Sequence, residues 1–170
     1  KIKGEGFFFF FMRKKEAASE QIPKPKKFII ASIREQKAIT PFLKDAEQFE
    51  MLCSNDEVKI LKKCDMENLA VLFSALYIKK LGTRAGRVMR DELIPSHDLA
   101  LSTIIALNPK AIDADHETAL DYLRKKDIPA GNAAPGWNVV RFMGYNLGWV
   151  KVLPNRVNNY YPSGFRILKH

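Results

Sequence analysis

The stretch Gly144–Arg166, GYNLGWVKVLPNRVNNYYPSGFR, decides how this chain is read. Its first half pairs with the residues just before it. Val139, Val140 and Phe142, then Leu147, Trp149, Val150 and Val152, carry the β-branched and aromatic load of two strands, and Gly144-Tyr145-Asn146 supplies the turn of a hairpin. Beyond Pro154 the composition changes. Asn155, Arg156, Asn158, Asn159, Tyr160, Tyr161 and Arg166 crowd together with no acidic residue among them. Rings and guanidinium planes stack on bases, amides read base edges and cations hold phosphates, so this set suits an RNA-facing surface. It also suits a twisted hairpin whose tyrosines fill a small core and whose asparagines make turns.

The charge around this stretch favours the first reading. Residues 128–170 hold five Lys/Arg and no acid, net +5; residues 28–127 hold fifteen against sixteen, net −1; residues 1–27 hold eight against three, net +5. An ordinary solvated surface interleaves both signs, whereas a one-signed module favours a polyanionic partner. A membrane surface is the other polyanion, but the cations here fall on strand and turn rather than on an amphipathic helix.

The run Leu147–Arg166 resembles the closing signature of the RsmF-type ribosomal RNA cytosine methyltransferases of the NOL1/NOP2/Sun family. The resemblance rests on Gly148-Trp149-x-Lys151, then Asn155-Arg156-x-x-Asn159-x-Tyr161-Pro162-x-Gly164-x-Arg166. In that family the pattern closes a PUA-like RNA-binding β-barrel, so the resemblance implies that fold for residues 107–170. The candidate RNA-contacting residues are Trp149, Lys151, Asn155, Arg156, Asn158, Asn159, Tyr160, Tyr161 and Arg166. Strand alternation predicts that some of them, Trp149 and one tyrosine included, point inward.

Immediately upstream, His116-Glu117-Thr118 starts a short helix with Ala119, Leu120, Tyr122 and Leu123 on its core face and Arg124-Lys125-Lys126 at its C-terminal end, where cations suit the dipole. Residues 107–116 read as a loop broken by Asn108-Pro109, Asp127-Ile128-Pro129 as a short strand, and 130–136 as a loop.

Residues 28–106 read as a small middle α+β domain. Phe28–Ile33 is a short apolar run, strand or helix. Thr40-Pro41 is a helix start with Pro at its first position. Met51-Leu52-Cys53 and Val58–Leu61 form a hairpin around Ser54–Glu57. Leu69–Lys80 reads as strand in its later part, and Gly82–Arg90 as a turn whose Arg84, Arg87 and Arg90 are further RNA candidates, with Asp91 and Glu92 able to neutralise them. Ser96 is a good N-cap for a helix carrying Leu99, Ala100, Thr103 and Ile104. This Pro95-Ser96-His97-x-Leu99-Ala100-Leu101 start also resembles the family's middle domain. His97 invites a catalytic role, but a lone histidine in a first helical turn, without a nucleophile nearby in sequence, reads as a structural hydrogen-bonder.

At the other end, Phe7–Phe11 is a continuous apolar run, as in a strand covered on both faces, or else a free hairpin arm. Left uncovered it is an aggregation hazard, so it is expected to be capped by another part of the chain or by a neighbouring molecule. Lys1-Ile2-Lys3-Gly4-Glu5-Gly6-Phe7-Phe8 resembles the last motif of the family's methyltransferase domain, where Gly-Glu-Gly enters the final strand of a Rossmann-like sheet. The resemblance thus implies that residues 1–15 are a leftover strand of that sheet and that the chain is the C-terminal portion of a longer enzyme. Residues 16–27, with Pro23 and Pro25 among lysines, read as a solvated linker. There is no apolar run of about 18 residues for a membrane span and no signal-peptide pattern. Two cysteines without metal spacing make a reducing cytoplasm the expected compartment.

The resembling family transfers a methyl group from S-adenosylmethionine to carbon five of cytosine, using a cysteine thiolate that adds to the ring and a second cysteine for product release. Cys53 follows Leu52 and Cys64 follows Lys63, and neither matches the family's catalytic motifs. The expectation is therefore an α+β chain without catalytic, cofactor-binding or metal residues of its own, inactive alone. It would dock small-subunit ribosomal RNA or the ribosomal subunit for its own methyltransferase domain, whose cofactor is S-adenosylmethionine. The competing expectation is a packing or protein-interaction module that does not touch RNA.

Overall fold

The computed structural model describes residues 24, 27–54, 56–63, 66–106 and 110–168. The expected methyltransferase strand over 1–15 and most of the linker over 16–27 lie outside the described residues, as do Cys64 and Asn108-Pro109.

A short edge strand, β1 (Ile29–Ile30), leads to α1 (Ile33–Ile39). Ser32 and Glu35 cap this helix reciprocally, the serine hydroxyl accepting from the Glu35 N–H and the Glu35 carboxylate accepting from the Ser32 N–H. Thr40-Pro41 therefore ends a helix rather than starting one: the Thr40 N–H bonds back to the Gln36 carbonyl, and Thr40–Phe42 is a single 3-10 turn. The expected hairpin follows as β2 (Phe49–Ser54) and β3 (Glu57–Lys62).

Two expectations for the next segment are corrected. Leu69–Lys80 is not strand in its later part; α2 (Met66–Ala75) takes the run, and 76–80 is irregular. Met, Glu, Leu and Ala are strong helix formers, and Phe73 packs edge-on against Phe28 with ring centroids 5.2 Å apart. Gly82–Arg90 is not a turn but mostly β4 (Thr83–Met89), which pairs with β5 (Glu92–Pro95). Its arginines sit outward while Ala85 and Gly86 are buried. A side chain at Gly86, where φ is +133°, would run into the Ile94 carbonyl. The real turn is Arg90-Asp91, both with positive φ. Strands β1 to β5 form one antiparallel sheet in chain order. As expected, Ser96 caps the next helix, α3 (His97–Ala100), accepting from the Leu99 N–H, but the helix ends there and Thr103 and Ile104 lie beyond it in turns.

The C-terminal unit opens with β6 (Ala111–Asp113) inside what reads from sequence as a loop. α4 (His116–Leu123) then crosses over to β7 (Gly136–Phe142), which lies parallel to β6. Asp127-Ile128-Pro129 forms no strand; Ile128 is buried by its side chain alone, and proline supplies no N–H for a ladder. The hairpin over the signature is present as β7 and β8 (Tyr145–Leu153), with β9 (Arg156–Asn159) beside it.

The expected α+β class is observed, but the expected barrel is not. The second sheet is open among the described residues, in the order β6-β7-β8-β9, with no pairing between its edges. Its edge strands have three and four residues, too short to close a barrel. The sheet instead buries both faces on other elements. Trp137, Val139 and Trp149 join Ile39, Leu43, Ile60 and Leu99 in a core shared with the first unit. Val140, Val150, Val152 and Val157 pack around Tyr122 of α4.

Candidate nucleic-acid interface

Strand alternation sorts the signature into two sets with different surroundings. Cross-strand partners in β8 and β9 are Leu153 with Arg156, Lys151 with Asn158, Val152 with Val157, and Val150 with Asn159; Trp137 of β7 sits opposite Lys151. Partners share a face. Arg156, Asn158 and Tyr160 therefore follow Lys151 and Trp137, while Val157, Asn159 and Tyr161 turn toward α4.

The inward set is structural. The Asn159 amide donates to the carbonyls of Tyr122 and Lys126, and its side-chain oxygen accepts from the Tyr161 N–H. The Tyr161 ring meets the Tyr122 and His97 rings edge-on, each with centroids 5.3 Å apart. The Tyr122 hydroxyl donates to the Trp149 carbonyl at 3.2 Å.

The outward set forms an open edge. Arg156 and Tyr160 are exposed and Asn158 is half-buried. The Tyr160 ring stands edge-on to Trp137 with centroids 4.5 Å apart, and Lys151 Nζ lies 5.3 Å from the centre of the Trp137 ring. Asn155 is exposed in the turn before β9, and Arg166 is exposed beyond the 3-10 turn Ser163–Phe165.

Charge pairing separates the candidate cations. Lys151 Nζ is 2.6 Å from a Glu92 carboxylate oxygen. Arg84 binds Asp98 through two nitrogens at 3.1 and 3.3 Å, and this carboxylate raises the arginine's pKa while the arginine lowers that of Asp98. Arg87 is 4.0 Å from Glu57. Arg156 and Arg166 enter no ion pair among the described residues. Arg84 and Arg87, on β4 of the first sheet, are thus already matched by acids, and the structure does not bring them into the signature edge.

Trp149 is 3% exposed, and its Nε1–H donates to the Ser96 carbonyl at 2.8 Å. Its ring meets Phe42 edge-on at 5.7 Å. It bolts the second sheet to the first unit and takes no part in the open edge. The aromatic beside the open edge is Trp137, absent from the sequence-based candidates. Its two-residue spacing from Val139 on the predicted strand was the available signal.

Trp137 also walls a cleft of about 280 Å³ between the two units, with Phe42, Trp149, Ala106 and Pro135 around it and Lys110 at its rim. The Trp137 Nε1–H is sealed from water and has no acceptor among the described residues.

Among the described residues, Cys53 and His97 are the candidates for covalent or acid–base chemistry. Burial and a hydrogen bond to Glu35 push the Cys53 thiol up to about 11, away from thiolate reactivity. His97 is held low by burial, and its ring packs against Tyr161 and Phe165. No group of three metal-ligating side chains occurs among the described residues. The parallel pair β6 and β7 comes nearest to a nucleotide-binding unit, and between strand and helix it carries Ala114-Asp115, without glycine, with Asp115 spent on capping Thr118. No described helix is long and apolar enough to cross a membrane.

The fold and this surface define a small basic β-domain locked onto an α+β unit. Residues 109–167 match the family model described as the methyltransferase RsmF PUA domain. The C-terminal part of the chain is therefore similar to the PUA domain of a methyltransferase. No curated protein matches the chain.

Proposed function

We propose that this chain docks structured small-subunit ribosomal RNA for a cytosine-5 methyltransferase of the NOL1/NOP2/Sun family that uses S-adenosylmethionine, and is itself inactive. The observation that carries this reading is the split of the signature by strand alternation. Val157, Asn159 and Tyr161 are consumed in the core, whereas Arg156, Asn158 and Tyr160 line one open edge with Trp137 and Lys151. An edge of cation, amide and ring, in a segment without any acid after Asp127, matches the chemistry of a partly single-stranded RNA. Within this reading Asn155 and Arg166 extend the edge, Trp149 and Tyr161 support it from beneath, and Arg84 and Arg87 contribute only if RNA displaces their acids.

A second reading is favoured by a different surface. Ile29, Ile30, Ile33, Leu72, Leu76 and Tyr77 are all exposed on the first unit, a set that suits a protein neighbour such as a methyltransferase domain. Photo-cross-linking of 4-thiouridine-labelled small-subunit ribosomal RNA to the chain separates the two. Cross-links at Tyr160 and Trp137 are the expected result. Cross-links absent, or scattered without preference for the β8–β9 edge, would leave protein docking as the better account.

A further inference from the structure

We propose that the cleft between the two units binds a single unpaired nucleotide of the docked RNA, its base held among Trp137, Phe42 and Trp149 and its phosphate by Lys110. The inference rests on the RNA-docking reading and extends it from a surface to a pocket.

Size restricts the occupant. A volume of about 280 Å³ lies just below the ~300 Å³ at which pockets for drug-sized ligands begin, so one ring system fits and a larger molecule does not. The walls restrict it further. Three aromatic residues, Phe42, Trp137 and Trp149, line the cleft, and the polar groups of an unpaired base are satisfied at its edge while its face seeks stacking. The Trp137 ring is 9% exposed and its Nε1–H lacks an acceptor; carbonyl oxygens and ring nitrogens of a base are acceptors that a purely hydrocarbon ligand does not bring.

Charge points the same way. Lys110 is exposed at the rim, with one contact at 3.3 Å to the Pro135 carbonyl, and no acid lines the cleft. An ammonium with donors to spare suits a phosphate. The cleft is also continuous with the signature edge, because the Trp137 ring that walls it carries Tyr160 and Lys151 around it. A strand held at Arg156 and Asn158 reaches the cleft past Tyr160 without leaving the basic sheet.

The test uses the whole chain and two stem-loop RNAs of equal length. One carries a single unpaired 2-aminopurine, and in the other the same residue is paired. The first is expected to bind about tenfold more tightly, with its fluorescence quenched by indole contact. Lys110→Ala leaves the main chain in place, since its backbone carbonyl still accepts from the Val139 N–H. Ala106→Phe fills the cleft. Both variants are expected to lose the preference while keeping the thermal midpoint of the parent, and Arg156→Ala is expected to weaken both RNAs equally. Equal, salt-sensitive binding of the two RNAs, or a preference that survives Ala106→Phe, overturns the pocket and leaves the docking surface standing. Failure of both RNAs to bind overturns the pocket and the docking surface together.

Discussion

At the residue scale, two tryptophans that look alike in sequence do different work. Trp149 is sealed between the units, with its N–H satisfied by Ser96. Trp149→Ala should destabilise the fold by about 3–5 kcal/mol, the usual range for emptying a large aromatic site, and urea unfolding would measure it. Arg156→Ala, on the open edge, should stay within about 0.5 kcal/mol of the parent. Gly148 is equally constrained: its φ is +148°, and an added Cβ would strike the Tyr122 hydroxyl and come within 3.0 Å of His97 Nδ1. His97 itself gives a pH signature. Burial lowers its pKa, with the neighbouring Asp98 opposing and Arg84 assisting that shift. The unfolded chain, with an ordinary histidine pKa of about 6.5, then takes up the proton before the folded chain does. Stability present above that value is lost as pH falls through it toward the lower folded pKa. Urea midpoints should therefore drop between about pH 7 and pH 5. They should drop less in His97→Gln; an unchanged slope in that variant would remove His97 from the account.

At the element scale, β9 explains why the signature mixes structural and binding residues in one short run. Its side chains alternate between α4 and the open edge, so neighbours in sequence have opposite roles. Asn159→Ala removes two hydrogen bonds to the Tyr122 and Lys126 carbonyls and should cost about 1–3 kcal/mol in stability. Asn158→Ala should keep its stability and lose RNA affinity. Paired unfolding and binding measurements on the two variants check the alternation, and equal behaviour would contradict it. The hairpins, the α4 start and the Ser96 cap were legible in the sequence because each carries a local signal: a turn, a cap or a periodicity. The Ser32–Glu35 capping box carried one too, but the Thr40-Pro41 pair eight residues after Ser32 drew the helix start to itself. β4 was hidden because its outward positions hold all its charge and its inward ones are Ala85, Gly86 and the half-buried Val88, which do not make an apolar run. β6 is three residues long, and its existence depends on β7 lying beside it, which no local pattern records.

At the scale of the whole molecule, charge and packing divide the labour. The first unit supplies acids to its own cations, with Asp98 at Arg84 and Glu57 at Arg87, and lends Glu92 to Lys151. The second unit keeps Arg156 and Arg166 outside any ion pair among the described residues. The open edge of the site could be anticipated from the acid-free composition after Asp127. The cleft could not, because its walls come from Phe42, Ala106, Trp137 and Trp149, which only the docking of the two units brings together. The barrel expectation failed for the same reason: a sheet that covers one face with a neighbouring unit has no need to curl on itself.

The central claim is that the β8–β9 edge holds RNA through its unmatched cations. The most direct measurement is the affinity of the chain for a small-subunit ribosomal RNA fragment across a salt series, for the parent, Arg156→Ala and Lys151→Ala. The account predicts a steep linear fall of log affinity with log salt, a slope reduced by about one in Arg156→Ala, and a smaller change in Lys151→Ala because Glu92 already holds that lysine. A salt-indifferent affinity, or a slope that Arg156→Ala leaves unchanged, would contradict it.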